Sequence, residues 1–346
     1  MTSCAQTELQ GKISDSTIKR IDSLFLEFDN MNSPGYAIGI SKNGKTLYKS
    51  GYGSANLDYN IPIEPNSAFS IASVSKQFTA ACIALLVLEK KISLETPASK
   101  FIPELNQYAD TIRIKHLIYN TSGITDYPRL ERQGGKSWIT FNYFEIDECI
   151  NTSLSVKELQ FKPGDKWDYC NVNFMLLTKI VEKISGQSFS EFAKTRLFEP
   201  LGMTNTLIND DITSIVKNRV TPYNNRTIDN IEAYKENGIS IKNKGEYIQH
   251  PRNSPHYGGS GVITTVDDLL KWSENMVTKK FGLYIGDFNG RRIVAWDGGD
   301  WGISSQLLRF PNEDIAIVVL SNLGSGESFR KVNGIADILI DEGILE

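Results

Sequence analysis

The chain has 346 residues, with 37 Lys+Arg against 41 Asp+Glu and a formal net charge of −4. Apolar residues make up 40% and charged residues 23%, an ordinary globular balance, so roughly 75% of the unfolded chain's surface can be buried at this length. A mildly acidic chain without a basic run makes nucleic acid or an anionic membrane surface a poor partner. No apolar run approaches the ~20 residues that span a bilayer, the longest being Ala80 to Leu88.

The N-terminal residues Met1-Thr2-Ser3-Cys4-Ala5-Gln6 carry no hydrophobic signal core. Cys4 reads either as the lipid-bearing first residue of a processed lipoprotein or as a free thiol on a disordered tail over residues 1–11. Ser14 to Phe28 has apolar residues at helical spacing. Tyr36–Ser41 and Thr46–Tyr52 read as strands, joined by the hairpin signal Asn43-Gly44. Ser73 to Lys91 reads as a long helix, apolar all round over Ala80–Leu88 and therefore buried. From about Pro97 to Gly290 the pattern is mostly helices and long loops. Helices are expected over Asn171–Ser185, Phe189–Phe198 and Val266–Met276, the last capped by Thr264 or Thr265. Strands follow over Arg292–Asp297, Ile303–Phe310 and Ile315–Ser321, with a turn at Pro311–Asp314, and a closing helix runs from Phe329 to Leu345. Strands at both ends imply one antiparallel sheet built from both termini and flanked by helices, an α/β (α+β) architecture with a largely helical insertion. The expected division is one unit over 12–346. Its α/β part is about 12–96 and 291–346, and its helical part about 97–290.

The four cysteines, Cys4, Cys82, Cys149 and Cys170, have no C-x-x-C spacing, so no zinc or redox site is indicated. Only three histidines occur, His116, His250 and His256, and their spacing fits no common metal motif. No G-x-S-x-G elbow is present. The alternative is a serine activated by lysine, because Ser-x-x-Lys places both side chains on one helix face. Four copies exist, beginning at Ser16, Ser73, Ser214 and Ser328. Three read as a cap or turn serine with a surface lysine. Ser73-Val74-Ser75-Lys76 differs because it opens the buried helix, where a lysine needs a reason. Either it snorkels to solvent or it acts as a base.

The segment Phe69-Ser-Ile-Ala-Ser73-Val-Ser-Lys76-Gln-Phe-Thr-Ala resembles the first motif of the serine β-lactamase and penicillin-binding superfamily, in its class C-like branch. Tyr169-Cys170-Asn171 is similar to the second motif, with matching flanks at Phe161–Asp168 and Ile180–Gly186. A second Tyr-x-Asn at Tyr223 lacks those flanks. Phe198–Thr206, and Tyr257–Thr265 followed by Asp267-Asp268-Leu269, resemble further signatures. The resemblance runs from about Tyr36 to Asn322. Two departures stand out. Where the family has Lys-Thr-Gly or His-x-Gly, this chain has Trp296-Asp297-Gly298, and Asn120 stands where the family has a hydrogen-bonding histidine.

The resemblance implies a serine hydrolase that forms an acyl-enzyme. Ser73 would attack, Lys76 and Tyr169 would move the proton, and Asn171 would bind substrate and orient Lys76. The backbone N–H groups of Ser73 and Gly299 would form the oxyanion hole. No metal or organic cofactor is implied. A lysine acts as a base only where burial disfavours its charged form. Trp296 cannot pair with a substrate carboxylate and Asp297 would repel one, so small neutral esters or amides are the expected substrates. The alternatives are a D-aminopeptidase, a DD-peptidase or weak β-lactamase, or a non-catalytic penicillin-binding-like module that holds an envelope peptide. A cell-envelope, periplasmic or secreted location is expected, with the cytoplasm left open.

Overall fold

The computed structural model describes residues 13–133, 144–250, 256–275, 284–324 and 327–346. The N-terminal tail with Cys4, Met276, and the Pro251–Pro255 part of the histidine-bearing loop lie outside these residues. Asn43 and Gly44 both take left-handed backbone, with φ of 51° and 71°, as a tight hairpin turn requires. They join β1 (Tyr36–Lys42) to β2 (Lys45–Tyr52). Four more strands come from the C-terminal part: β3 (Tyr284–Phe288), β4 (Arg291–Asp300), β5 (Ile303–Phe310) and β6 (Ile315–Ser321). They form one antiparallel six-stranded sheet in the order β3-β4-β5-β6-β1-β2. Both chain ends meet at its centre, where Tyr36 lies opposite Ser321 and Lys42 opposite Ile315. The sheet from both termini is therefore as the sequence predicts, and every residue of β6 is buried.

Each face carries its own apolar cluster. On one face α1 (Asp15–Ser23) and a C-terminal helix (Ser328–Asp341) pack Ile21, Phe25, Val332, Ile335 and Leu339 against Ile38, Ile317 and Phe310. On the other face lie α2 (Lys76–Leu88), α3 (Asn171–Ser185) and α4 (Val266–Glu274). The C-terminal helix is α5. Gly39 explains how closely α4 approaches, since a Cβ there would lie 2.2 Å from Val266 Cγ1.

Two expectations need correction. The Ser73–Lys91 helix begins as a 3₁₀ turn over Ala72–Ser75 and becomes α-helical only at Lys76, ending at Leu88. Its far end is not buried all round, as Leu88 is 78% exposed. The 97–290 part is also not all helix and loop: it supplies the edge strand β3 of the main sheet, and Leu207–Ile208 pairs there with Val262–Thr264, whose other partner is Phe69–Ser70 from before the insertion. No helix among the described residues is long and apolar enough to cross a membrane.

Candidate active site

Ala72 opens the 3₁₀ turn with φ 44°, a left-handed conformation that a residue with a Cβ adopts at a cost. In a 3₁₀ turn the side chains of residues i and i+3 eclipse. Ser73 and Lys76 stand in that relation, and Lys76 Nζ lies 3.1 Å from Ser73 Oγ. Ser75, between them, is not free to cap α2. Its Oγ accepts from Val262 N, at 3.1 Å, and so ties the turn to the Val262–Thr264 strand.

Lys76 is fully buried. Besides Ser73 its Nζ donates to Asn171 Oδ1 at 2.8 Å and to the Gly259 carbonyl at 2.6 Å. Both of those oxygens can only accept, so they fix two N–H bonds. The third position faces Ser73 Oγ, as an N–H in the ammonium or a lone pair in the neutral amine. The ring of Tyr169 lies beneath the same nitrogen, 4.7 Å from Nζ to its centroid. Tyr169 Oη is 2.6 Å from Ser73 Oγ. Ser73 oxygen thus sits between an amine and a phenol, and a proton can leave it towards either.

Asn171 is the first residue of α3, which puts its side chain at the mouth of the site. Its amide is held in one orientation, since Nδ2 donates to Asp126 Oδ2 at 2.9 Å. Asp126 also accepts from Val172 N at 3.1 Å. Burial pushes its carboxyl above the usual carboxylate range, while these hydrogen bonds and the charge of Lys76 pull the other way. Asn120 braces the same helix start, its Oδ1 accepting from Asn173 Nδ2 and Cys170 N. At this position the chain has a structural amide, left-handed at φ 54°.

Strand β4 forms the opposite wall. Among the described residues its partner β3 pairs with Arg291–Ala295, and Trp296 to Asp300 continue β4 beyond that pairing. Gly298 lies against the Ser73 turn. A Cβ on it would fall 2.3 Å from the Ile71 carbonyl and 3.0 Å from Ser73 N. Gly299 follows and, with Ser73, Tyr169, Asn171, Gly259 and His256, lines a cavity of about 170 Å³. A second cavity of about 1020 Å³ also touches Ser73 and Tyr169 and runs past Trp296 and Asp297. Trp296 is half-buried against the cluster that contains α2 and α3, whereas Asp297 is exposed. None of the described residues lining either cavity is Lys or Arg. Arg291, at the start of β4, is bonded to the carbonyls of Glu346 and Asn289.

The sequence-predicted residues Ser73, Lys76, Tyr169 and Asn171 are therefore brought together, with Gly298 and Gly299 beside them and Trp296 and Asp297 along the larger cavity. The other Ser-x-x-Lys serines lie elsewhere. Ser16 bonds Ser14, Ser214 bonds Asp211, and Ser328 is buried at the start of α5. Sequence reasoning missed Asp126 and the Gly259 carbonyl, because both act through contacts distant in sequence. It also gave no place in the site to His256, whose Nε2 is 3.5 Å from Cys149 Sγ. His250 bonds Tyr234 at 2.7 Å, and His116 Nδ1 accepts from Arg113 N. No group of residues suited to a metal ion occurs among the described residues.

The family model described as Beta-lactamase matches residues 21–342. The chain belongs to the beta-lactamase family. Its architecture is that of the β-lactamase-fold serine hydrolases. A D-aminopeptidase of Gluconobacter oxydans is 32% identical over 315 residues, covering 84% of this chain and 56% of that protein. Penicillin-binding protein 4* of Bacillus subtilis is 32% identical over 191 residues, 55% of this chain and 41% of its relative. The chain thus spans little more than half the length of the D-aminopeptidase. Among solved structures, an octameric penicillin-binding protein homologue from Pyrococcus abyssi superposes with a TM-score of 0.77 at 25% identity, over 94% of this chain and 77% of that one. A D-amino acid amidase from Ochrobactrum anthropi SV3 gives a TM-score of 0.78 at 18% identity, over 94% and 99%, a likeness of fold.

Proposed function

We propose that the chain hydrolyses amides or esters through an acyl-enzyme on Ser73, and that its substrates carry no carboxylate beside the scissile bond. The observation that carries the reading is the placement of Ser73 Oγ, 3.1 Å from a buried amine and 2.6 Å from a phenol. In the first step the Ser73 oxygen bonds the acyl carbon, and its proton passes to Lys76 or Tyr169. The carbonyl oxygen gathers negative charge, for which the N–H groups of Ser73 and Gly299 are the candidate donors. One such donor is worth about 3–4 kcal/mol. The bond to the leaving nitrogen or oxygen then breaks and that atom takes the proton. Water repeats the sequence on the acyl-enzyme and frees the acid.

The substrate class rests on charge. The described cavity walls lack a positive side chain, and Asp297 is exposed beside Trp296. A carboxylate would find no partner there. The D-aminopeptidase and D-amino acid amidase among the similar proteins support D-aminoacyl amides as members of this class, and neutral esters fit the same walls. A fluorophosphonate is expected to label Ser73, located by peptide mass spectrometry. The enzyme should hydrolyse p-nitrophenyl butyrate and D-phenylalanine amide well and nitrocefin poorly. Trp296→Lys should raise the nitrocefin share about 10–150-fold, the worth of one charge-assisted hydrogen bond of roughly 1.5–3 kcal/mol. An adduct on another residue, or efficient nitrocefin hydrolysis by the unaltered protein, would overturn the reading.

A further inference from the structure

The larger cavity does not stop at Ser73. It runs past Trp296 and Asp297 of β4 and continues on the face of the sheet that α5 covers, where Gln306, Leu308, Phe329 and Asn333 line it. Strand alternation explains the change of face. Residues 295 and 297 of β4 point to the same side, and Ala295 belongs to the cluster beneath α5. Gln306 is the register partner of Asp297, so the two side chains share that side with Cβ atoms about 5 Å apart.

Gln306 is only 3% exposed, and its Oε1 is buried without a hydrogen-bond partner. A buried carbonyl without a donor is costly, and in this orientation of the amide the carboxylate beside it offers Oε1 only a further acceptor. Gln306 Oε1 and the Asp297 carboxylate thus lie on one side of the sheet, in a slot with apolar walls at Leu308 and Phe329. Such a site calls for a donor on an apolar stem.

We infer that this far-face arm is a substrate subsite that takes a primary ammonium or comparable N–H donor carried on an alkyl or aryl stem by the acyl or the leaving group. The inference rests on the hydrolase reading above. It adds that reactive substrates extend past Trp296 and Asp297 of β4 and end in a positively charged or donor head.

The test uses two matched sets of esters, one with the variable tail on the acyl chain and one with it on the alcohol. Each set compares a tail ending in an ammonium, in a methyl group and in a tertiary amide that only accepts. In at least one set the ammonium ester should exceed the methyl ester about 10–100-fold in kcat/KM, and the tertiary amide should gain nothing. Gln306→Met, which keeps the shape and removes the acceptor, should cut that ratio about 5-fold or more. Asp297→Asn should cut it further. Equal rates for all tails, a gain for the tertiary amide, or a ratio unaffected by both substitutions would overturn the subsite. Should the protein hydrolyse none of these esters, the hydrolase reading fails only if D-phenylalanine amide is left intact as well. The subsite is then read from the dissociation constants of 6-aminohexanamide and heptanamide by tryptophan fluorescence, where equal affinity overturns it.

Discussion

Asp126 shows how much of the site is held by a residue with no role of its own in the chemistry. Its carboxylate accepts from Asn171 Nδ2 and Val172 N, and thereby turns Asn171 Oδ1 towards Lys76. Asn in its place could keep one of these acceptances but would set its own N–H₂ against that of Asn171. Relief by rotating the Asn171 amide would remove an acceptor from Lys76. Asp126→Asn should therefore lower kcat about 10-fold, within the range of roughly 1–3 kcal/mol for a buried donor left unpaired. The pH profile separates positioning from mere loss of fold. Burial raises the Asp126 carboxyl above its ordinary 3.8, so as pH falls through that raised value the carboxylate takes a proton and loses an acceptor site. Wild-type kcat should decline there, and the variant's profile should be flatter on the acid side. An unchanged plateau with the same acid limb would show that the tether does not matter to turnover.

At the scale of elements, the site depends on how closely β4 presses on the Ser73 turn. Gly298 permits that contact, since a Cβ would meet the Ile71 carbonyl at 2.3 Å and Ser305 Oγ at 2.5 Å. Ser305 Oγ itself donates to the Ile71 carbonyl at 2.8 Å, so neither neighbour can yield without breaking this tie. Gly298→Ala should push the strand away and lower kcat/KM about 100-fold, the cost of misplacing reacting groups by about 1 Å. At Gly299 nothing lies within 4 Å of an added Cβ, so Gly299→Ala should keep the wild-type melting temperature while Gly298→Ala loses several degrees. Equal melting temperatures for the two would refute the close-contact argument. These elements also mark where the sequence was legible. β5 and β6 have the predicted bounds because their apolar runs end at turn residues. Likewise α3 runs from Asn171 to Ser185, where Gly186 takes φ 72° and ends it. The Ala72 start of the 3₁₀ turn was not legible, because alanine carries no signal for left-handed backbone. Strands of two or three residues such as Leu207–Ile208 are too short to show a period. Asp126 and Gly259 gain their roles only when distant segments meet, which no local pattern reports.

For the whole molecule, the sheet separates the apolar cluster packed by α1 and α5 from the cluster that surrounds Lys76. Leu339 of α5 is fully buried in the first cluster, among Ile21, Phe25 and Ile335. Phe174 of α3 is fully buried in the second, with its ring 5.5 Å from Lys76 Nζ. Its carbonyl also lies 2.7 Å from where a Cβ on Gly258 would be, next to the carbonyl that holds Lys76. Leu339→Ala should cost about 2–5 kcal/mol and Phe174→Ala about 3–5 kcal/mol, since each leaves a cavity that its neighbours fill only in part. Both variants should melt earlier by similar amounts. Their effects on turnover should differ. At 25 °C, where both remain folded, Leu339→Ala should keep kcat for p-nitrophenyl butyrate within about 2-fold, because the sheet lies between that cavity and Ser73. Phe174→Ala should lower it 10-fold or more, because the void opens beside the lysine and loosens the amine that faces Ser73 Oγ. Melting curves by circular dichroism and kcat on the same preparations decide the matter. A loss of turnover that follows melting temperature in both variants would mean that the two faces behave as one unit.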